Sequence, residues 1–247
     1  MKLSISAAKY VGFVLLKYII STGTKIEFVT TIEGDTYQRK IVDLCIESNI
    51  AVYTTLDINT PEFRTLLVGN KIDLHFMLWF PTIVQKDSIE SVSTGFVNIH
   101  PSLLPYNRGM HPWYWSIVDK TPAGVTIHFI DEKIDNGSII AQREVQTLQT
   151  DTGESMYKKL LETSISLFYD TFESILDNSY NIIEPQAYGT FHLSKDIESS
   201  SNIQLEEKYT AEQLINILRA RTFTDGIGAF FYKDGKKYNI KLNIYED

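Results

Sequence analysis

Two spacings of apolar residues alternate along the first 180 or so positions of the chain. Residues 2–5 read as a short strand. Tyr10, Val11, Val14, Leu15, Tyr18 and Ile19 recur at helical spacing over residues 10–20, and Gly23 closes that helix as a cap. Residues 25–30 (KIEFVT) read as the next strand, 39–48 as a second amphipathic helix and 51–53 as a short strand. Residues 74–79 (LHFMLW) form a fourth, strongly apolar strand, and 96–100 a fifth. After a loop through Gly109, residues 113–118 look helical. Residues 124–130 (GVTIHFI) alternate as a strand, and 138–142 follow an Asn136-Gly137 turn as another. A long amphipathic helix spans 152–176, with Met156, Leu160, Leu161, Ile165, Phe168, Tyr169, Phe172 and Ile175 on its apolar side. Strands alternating with helices predict an α/β fold: a Rossmann-like, mostly parallel sheet with helices on both faces. The first turn, SAAKYVG, has only Gly12 where a dinucleotide fold would place GxGxxG, so a NAD fingerprint is missing and Gly12 reads as a small helix residue.

After about residue 181 the pattern changes. Residues 194–210 are polar and rich in Ser and Glu. Thr210 and Gln213 form a capping-box pattern for a helix through Ala220. Residues 229–232, Asp234-Gly235 and 237–244 read as a β-hairpin. A lone hairpin is marginal in water, so this one packs on the main domain or on another subunit. The expected organisation is a Rossmann-like domain over 1–185 and a C-terminal extension of linker, helix and hairpin over 186–247, with the extension at a dimer interface.

Composition narrows the function classes. Hydrophobic residues make up 43% and charged residues 22% of the 247, enough to bury a real core. The formal net charge of −8 argues against broad binding to nucleic-acid phosphates, though it leaves room for a small basic pocket. The sole cysteine, Cys45, lies in IVDLCIES, the buried face of a helix, and reads as a core thiol. Lys17 interrupts the apolar run near the N-terminus, no small-residue cleavage site follows, and no stretch of roughly 18 apolar residues occurs. The expectation is a cytoplasmic protein with no membrane and no nucleic-acid partner. His75, His111 and His192 have no carboxylate or cysteine at metal spacing, so no metal is expected.

The chemistry concentrates in residues 96–109, Phe-Val-Asn-Ile-His-Pro-Ser-Leu-Leu-Pro-Tyr-Asn-Arg-Gly. Asn98 and His100 are two apart on a predicted strand and project to one face at its end, where open α/β sheets bind ligands. An amide donor beside an imidazole can hold an oxyanion while the imidazole takes a proton from an attacking amine. Asp135, just before Asn136-Gly137, is placed to reach that imidazole and orient it. The bland readings are a polar strand-end histidine and an aspartate present for its turn chemistry.

HPSLLPYNRG (100–109), led by Asn98 and followed by VTIHFIDEKIDNG (125–137), resembles the folate-dependent formyltransferase family. That family includes glycinamide ribonucleotide transformylase, methionyl-tRNA formyltransferase and the nucleotide-sugar N-formyltransferases. Its Asn-x-His-Pro-Ser-Leu-Leu-Pro motif with a later Asp-x-Gly is met at every position, and the resemblance covers most of residues 1–180. It implies a sheet that binds N10-formyltetrahydrofolate as co-substrate. It also implies that Asn98 and His100 hold the tetrahedral intermediate, that His100 accepts the amine proton, and that Asp135 sets its charge. The pterin would lie near the end of the 74–79 strand and the 130–135 loop, against Phe80, Pro81, Ile130 and Asp131. His128, on the strand before Asp135, fits packing or a supporting hydrogen bond rather than direct catalysis.

Within the family, GMHPWYW (109–115), LRARTF (218–223) and the DGKKY hairpin resemble the nucleotide-sugar N-formyltransferases. Such enzymes commonly act on dTDP-linked amino-dideoxy sugars in surface polysaccharide (O-antigen) synthesis, as homodimers. A diphosphate needs cations, and Lys9 and Arg108, with Gly109 beside it, are the acceptor-side candidates. The alternatives are another amine acceptor, such as a UDP-amino sugar or a ribonucleotide, and a catalytically silent folate- or nucleotide-binding protein.

Overall fold

The computed structural model describes residues 1–186, 188–226 and 228–246. In chain order its elements are β1 (Leu3–Ala7), α1 (Lys9–Ser21), β2 (Ile26–Thr30), α2 (Gln38–Glu47), β3 (Ala51–Tyr53), α3 (Pro61–Asn70), β4 (Leu74–Leu78), α4 (Lys86–Ile89) and β5 (Gly95–His100). There follow β6 (Arg108–Gly109), α5 (Pro112–Val118), β7 (Ala123–Phe129), β8 (Ile139–Val145) and α6 (Gly153–Leu176). The chain ends in β9 (Phe191–His192), α7 (Asp196–Ser201), α8 (Ala211–Ala220), β10 (Ala229–Lys233) and β11 (Lys236–Ile240). Two compact units result. One comprises Met1–His100, Thr126–Gln142 and Ser164–Pro185; the other Pro101–Val125, Arg143–Thr163 and Gln186–Asp247.

The first unit carries the seven-stranded sheet, in the order β3-β2-β1-β4-β5-β7-β8. Pairs among β1 to β5 are parallel, and β5 with β7 is antiparallel. The mostly parallel sheet predicted from the sequence is therefore present. Period-two alternation sorts the central strand between two helical layers. Phe76 of β4 meets Phe168 of α6 at 5.5 Å, while its neighbour His75 meets Phe63 of α3 at 5.5 Å. Leu15, Leu16 and Ile19 of α1 and Phe168, Phe172 and Ile175 of α6 are fully buried or nearly so. Each such side chain removed from water stabilises the fold by about 1.5–3 kcal/mol.

Helix α3 is absent from the sequence reading. Thr60 caps it by accepting from the Phe63 N–H at 3.3 Å, and Pro61 occupies its first turn. Only Phe63 and Leu67 are buried in it, and the consecutive Leu66, Leu67 and Val68 spread its apolar residues around the helix, so no one-sided stripe marks it in the sequence. Gly12 is more than a small helix residue: a Cβ there would sit 2.6 Å from the Leu78 carbonyl oxygen, so α1 approaches the end of β4 only through glycine. Gly23 does follow α1 as expected, with φ +77°. Cys45 is fully buried, and burial pushes its thiol up to about 12. A polar row crosses the core: His75 bonds Ser4 Oγ through Nδ1 (2.7 Å) and Ser6 Oγ through Nε2 (2.8 Å), and Ser6 bonds Thr30 at 2.6 Å.

In the second unit α5 packs on α8, whose capping box is formed as predicted by Thr210 and Gln213. The hairpin turns at Asp234-Gly235, but its second strand stops at Ile240 rather than 244. Ile240 pairs with Ala229, the first residue of β10, so nothing remains for later residues to pair with. Leu242 instead donates its N–H to Thr222 Oγ1 at 3.0 Å. The hairpin packs within this unit through Ala229 and Phe230, both buried, and the Ile203 N–H donates to the Phe230 carbonyl at 2.7 Å. Among the described residues, no helix is long and apolar enough to cross a membrane.

Candidate active site

Strands β5 and β7 place Asn98 opposite His128 and His100 opposite Thr126. Opposed residues of an antiparallel pair share a face, as do residues two apart. Four polar side chains therefore lie on one face: Asn98, His100, Thr126 and His128. Thr126 and His128 are buried, and His100 is nearly so.

The loop after β7 returns a carboxylate to this face. Asp131 braces it, its Oδ1 accepting the Lys133 N–H (2.9 Å) and its Oδ2 accepting from Asn136 Nδ2 (3.3 Å). Asp135 sits at φ +49°, a left-handed conformation that aspartate tolerates better than most residues. At Gly137 a Cβ would overlap the Phe129 carbonyl oxygen, so the loop can fold back on β7 only with glycine. This is the physical content of the Asp-x-Gly pattern. Its outcome is a carboxylate between two imidazoles: Asp135 Oδ2 lies 3.6 Å from His100 Nδ1, and Oδ1 lies 3.7 Å from His128 Nε2.

Hydrogen bonding assigns the ring and amide orientations. His128 Nδ1 is 2.7 Å from the Phe129 carbonyl, which can only accept, so Nδ1 carries the proton. In the neutral ring Nε2 can then only accept, and the Asn98 Nδ2–H donates to it at 3.3 Å. Burial is the main influence on His128 and pushes its pKa down; the Asp135 charge pulls the other way, and His100 adds to the lowering. A neutral His128 thus fixes the Asn98 amide. An amide N–H beside an imidazole that faces a carboxylate can hold a developing oxyanion and accept a proton.

The other predicted site residues fall into separate places. Phe80 is buried in an apolar cluster with Met77, Val84 and Phe96, and Ile130 packs against it, while Pro81 is exposed. The Asp131 carboxylate is engaged inside its own loop. Lys9 is exposed at φ +58°, its N–H donating to Asp35 Oδ1 at 3.0 Å. Arg108 and Gly109 belong to the second unit, where β6 pairs with β9. A Cβ at Gly109 would overlap the His192 carbonyl oxygen, so close pairing of β6 with β9 requires glycine there. The expected set leaves out Thr126 and Gln142, whose Nε2 donates to Thr126 Oγ1 at 2.9 Å. The signal for Thr126 lies in the alternation of Val-Thr-Ile-His-Phe, which puts it on the face of His128. Among the described residues, no cluster of His, Cys, Asp and Glu is arranged to hold a metal ion.

Comparison with known proteins bears on this geometry. The model of the formyl transferase family matches residues 32–171, more than half of the chain, and that of the N-formyltransferase dimerization C-terminal domain matches 196–246. The chain is 39% identical over 147 residues to the dTDP-4-amino-4,6-dideoxyglucose formyltransferase of Mycobacterium tuberculosis. That match covers 59% of this chain and spans 63% of the relative, less than two thirds of its length. Among solved structures, an M. tuberculosis protein described as a sugar N-formyltransferase superposes with a TM-score of 0.85 at 27% identity, covering 100% of this chain and 98% of that one. A 4-N formyltransferase from Francisella tularensis gives 0.81 at 27% identity, with the same two coverages. By its sequence motif, its fold and these matches, the chain belongs to the formyl transferase family.

Proposed function

We propose that this protein transfers the formyl group of N10-formyltetrahydrofolate to the amine of a dTDP-linked amino-dideoxy sugar. The observation that carries the reading is the Asp135 carboxylate set against His100, with the Asn98 amide fixed beside them. The folate supplies an activated formyl group bound to nitrogen and accepts a proton there when it leaves. The apolar wall of Phe80 and Ile130, with exposed Pro81, suits a flat pterin ring; the Asp131 carboxylate, turned into its loop, leaves only backbone groups for pterin contacts.

The protein's own groups do the rest. As the amine nitrogen bonds to the formyl carbon, charge moves onto the formyl oxygen. One Asn98 Nδ2–H is held by His128, and the second donates to that oxygen. His100 presents Nδ1 to Asp135, which leaves Nε2 to take the amine proton. Asp135 stabilises the imidazolium so formed, and the same proton is then returned to the departing nitrogen. Lys9, exposed on the first unit, is the group offered to the acceptor's diphosphate.

Two named relatives favour a 4-amino acceptor: the mycobacterial dTDP-4-amino-4,6-dideoxyglucose enzyme and the Francisella 4-N formyltransferase. We place the reaction in the cytoplasm, where nucleotide sugars and reduced folates meet, and its product in surface polysaccharide synthesis. The protein acts as a homodimer through residues 196–246, a reading supported by the dimerization-domain match and by the exposed residues 236–239 of β11. The test is a panel of dTDP- and UDP-linked 3-amino and 4-amino sugars with formyl donor. The expected result is turnover of dTDP-4-amino sugars above all others. Preference for a UDP-linked sugar would remove the dTDP assignment, and transfer to no amine would remove the function.

A further inference from the structure

Two polar side chains beside the candidate site have no part in the proposed transfer: Thr126 of β7 and Gln142 of β8. Strand β7 lies between β5 and β8. Its register sets His128 opposite Asn98 and Thr126 opposite His100. Side chains so opposed stand about 4.5–5.5 Å apart at Cβ, close enough for one to limit how the other tilts. Thr126 is fully buried, and its Oγ1 accepts from Gln142 Nε2 at 2.9 Å. Gln142 is partly buried on β8, the last strand of the sheet. All of these residues belong to the first unit.

Each reacting side chain of β5 thus faces a partner on β7. His128 fixes the Asn98 amide by a hydrogen bond at 3.3 Å. Thr126 stands in the same relation to His100, but its own setting needs support. Threonine carries a hydroxyl and a methyl of similar size on one carbon, and either can be turned to a given side at little steric cost. A donor on β8 removes that choice. With Oγ1 held by Gln142, the rotamer of Thr126 is set, and so is the surface it shows to β5. The setting matters because His100 Nδ1 lies 3.6 Å from Asp135 Oδ2. A nitrogen and an oxygen at that separation must close by several tenths of an ångström to form a hydrogen bond, so a small tilt of the ring decides how well the carboxylate meets it.

We propose that Gln142 is a positioning residue for the formyl transfer: through Thr126 it fixes the tilt of the His100 ring toward Asp135. The chain of action crosses three adjacent strands, from Gln142 on β8 to Thr126 on β7 to His100 on β5. Neither Gln142 nor Thr126 takes or gives a proton in the reaction. This assignment rests on the transfer reading above and adds what holds its base in line.

The test removes the bond from either end while nearly keeping the volume, with Gln142→Met and Thr126→Val. In steady-state formyl transfer each lowers kcat about tenfold, the upper end of what one neutral hydrogen bond contributes, with both KM values within about twofold of wild type. The double variant is no slower than either single one. Thr126→Ser, which keeps the acceptor, stays within about threefold of wild type. In an Asp135→Asn background Gln142→Met costs less than about twofold, because the tilt of the ring then has no charge to meet. A second readout needs no turnover: in nitrogen-labelled protein the ring resonances of His100 move in Gln142→Met and in Thr126→Val, while those of His75 stay in place. Wild-type kcat in Gln142→Met, or unmoved His100 resonances in either variant, overturns the proposal. A Gln142→Met loss that multiplies in full with that of Asp135→Asn, or a rise in KM that accompanies lower melting, makes the bond merely structural and also overturns it. A wild-type protein that forms no N-formyl product from any amine removes the proposed function, and the His100 resonances then still decide whether Gln142 holds the ring.

Discussion

Replacing Asp135 by Asn keeps the shape of the side chain and removes one charge. In the native site that charge lies 3.6 Å from His100 Nδ1, and both side chains are about nine-tenths buried. At an effective dielectric of roughly 20, two unit charges at this separation attract by about 4.6 kcal/mol. That attraction exists only while the imidazole is protonated, which in the proposed reaction is after it has taken the amine proton. It therefore acts on the barrier rather than on substrate binding. At about 1.4 kcal/mol per tenfold, the ceiling on the effect is about two-thousandfold in kcat. The assay is steady-state formyl transfer from N10-formyltetrahydrofolate to a dTDP-amino sugar, with thermal unfolding measured on the same preparations. The expected outcome for Asp135→Asn is a fall in kcat of about 10³-fold, with both KM values within a few-fold of wild type and melting little changed. His100→Ala should lose at least as much, and Asn added at 135 in that background should cost little more, because the carboxylate then has no cation to stabilise. A kcat within tenfold of wild type in Asp135→Asn would show that the carboxylate does not stabilise a charged His100.

Two other perturbations probe the scaffold. Burial holds the pKa of His75 down to about 3, so the unfolded chain binds a proton that the folded one refuses between about pH 6.5 and 3. Stability is complete above pH 6.5 and declines as the pH falls through that window, by at most about 5 kcal/mol. Urea unfolding of His75→Leu should show a weaker decline between pH 7 and 4.5 than wild type, although its stability at pH 7 is lower because Ser4 and Ser6 lose their partner; an unaltered pH slope would count against a buried neutral imidazole. Gly137→Ala must push the loop off β7, because its methyl would overlap the Phe129 carbonyl oxygen. Activity should drop at least about a hundredfold through misplacement of Asp135, with a smaller loss of stability, and full activity would mean that the loop has another way to present the carboxylate.

What could be read from the sequence follows from which interactions are local. The central strands of the sheet were visible because two-sided burial makes LHFMLW almost continuously apolar and puts Phe96, Val97 and Ile99 within six residues of β5. The α8 capping box and the Asp234-Gly235 turn were visible because each is set by residues three or fewer apart. Helix α3 escaped because Leu66, Leu67 and Val68 follow one another and spread around the helix, so no one-sided stripe forms. The site divides in the same way. Asn98 and His100 are on one strand, and period-two geometry alone puts them together. Asp135 reaches them only because Gly137 lets a loop close on Phe129, a contact that no periodicity encodes; the Asn136-Gly137 turn made it a candidate, and the motif resemblance gave it a role. The Asn98–His128 bond depends on the register of β5 against β7, and register across 30 residues has no local signature. The glycines show the same limit: Gly12, Gly109 and Gly137 each exist for a carbonyl oxygen distant in sequence or folded back on the chain.

One carboxylate faces two imidazoles here, and in the proposed reaction their surroundings decide which one handles the proton. The rings of His100 and His128 are 6.5 Å apart and both are buried, so two cations would repel. His128 is the more deeply buried, and its Nδ1–H is committed to the Phe129 carbonyl while its Nε2 accepts from Asn98. Protonating Nε2 would break the bond that orients the Asn98 amide, because both groups would then be donors. His100 carries no such tie to Asn98 and lies at the end of β5, where the chain leaves the sheet. A proton arriving at His100 therefore leaves the oxyanion donor in place, whereas one arriving at His128 would dismantle it. The division of labour proposed for the two histidines, proton carrier and amide holder, follows from that asymmetry and not from their positions in the motif.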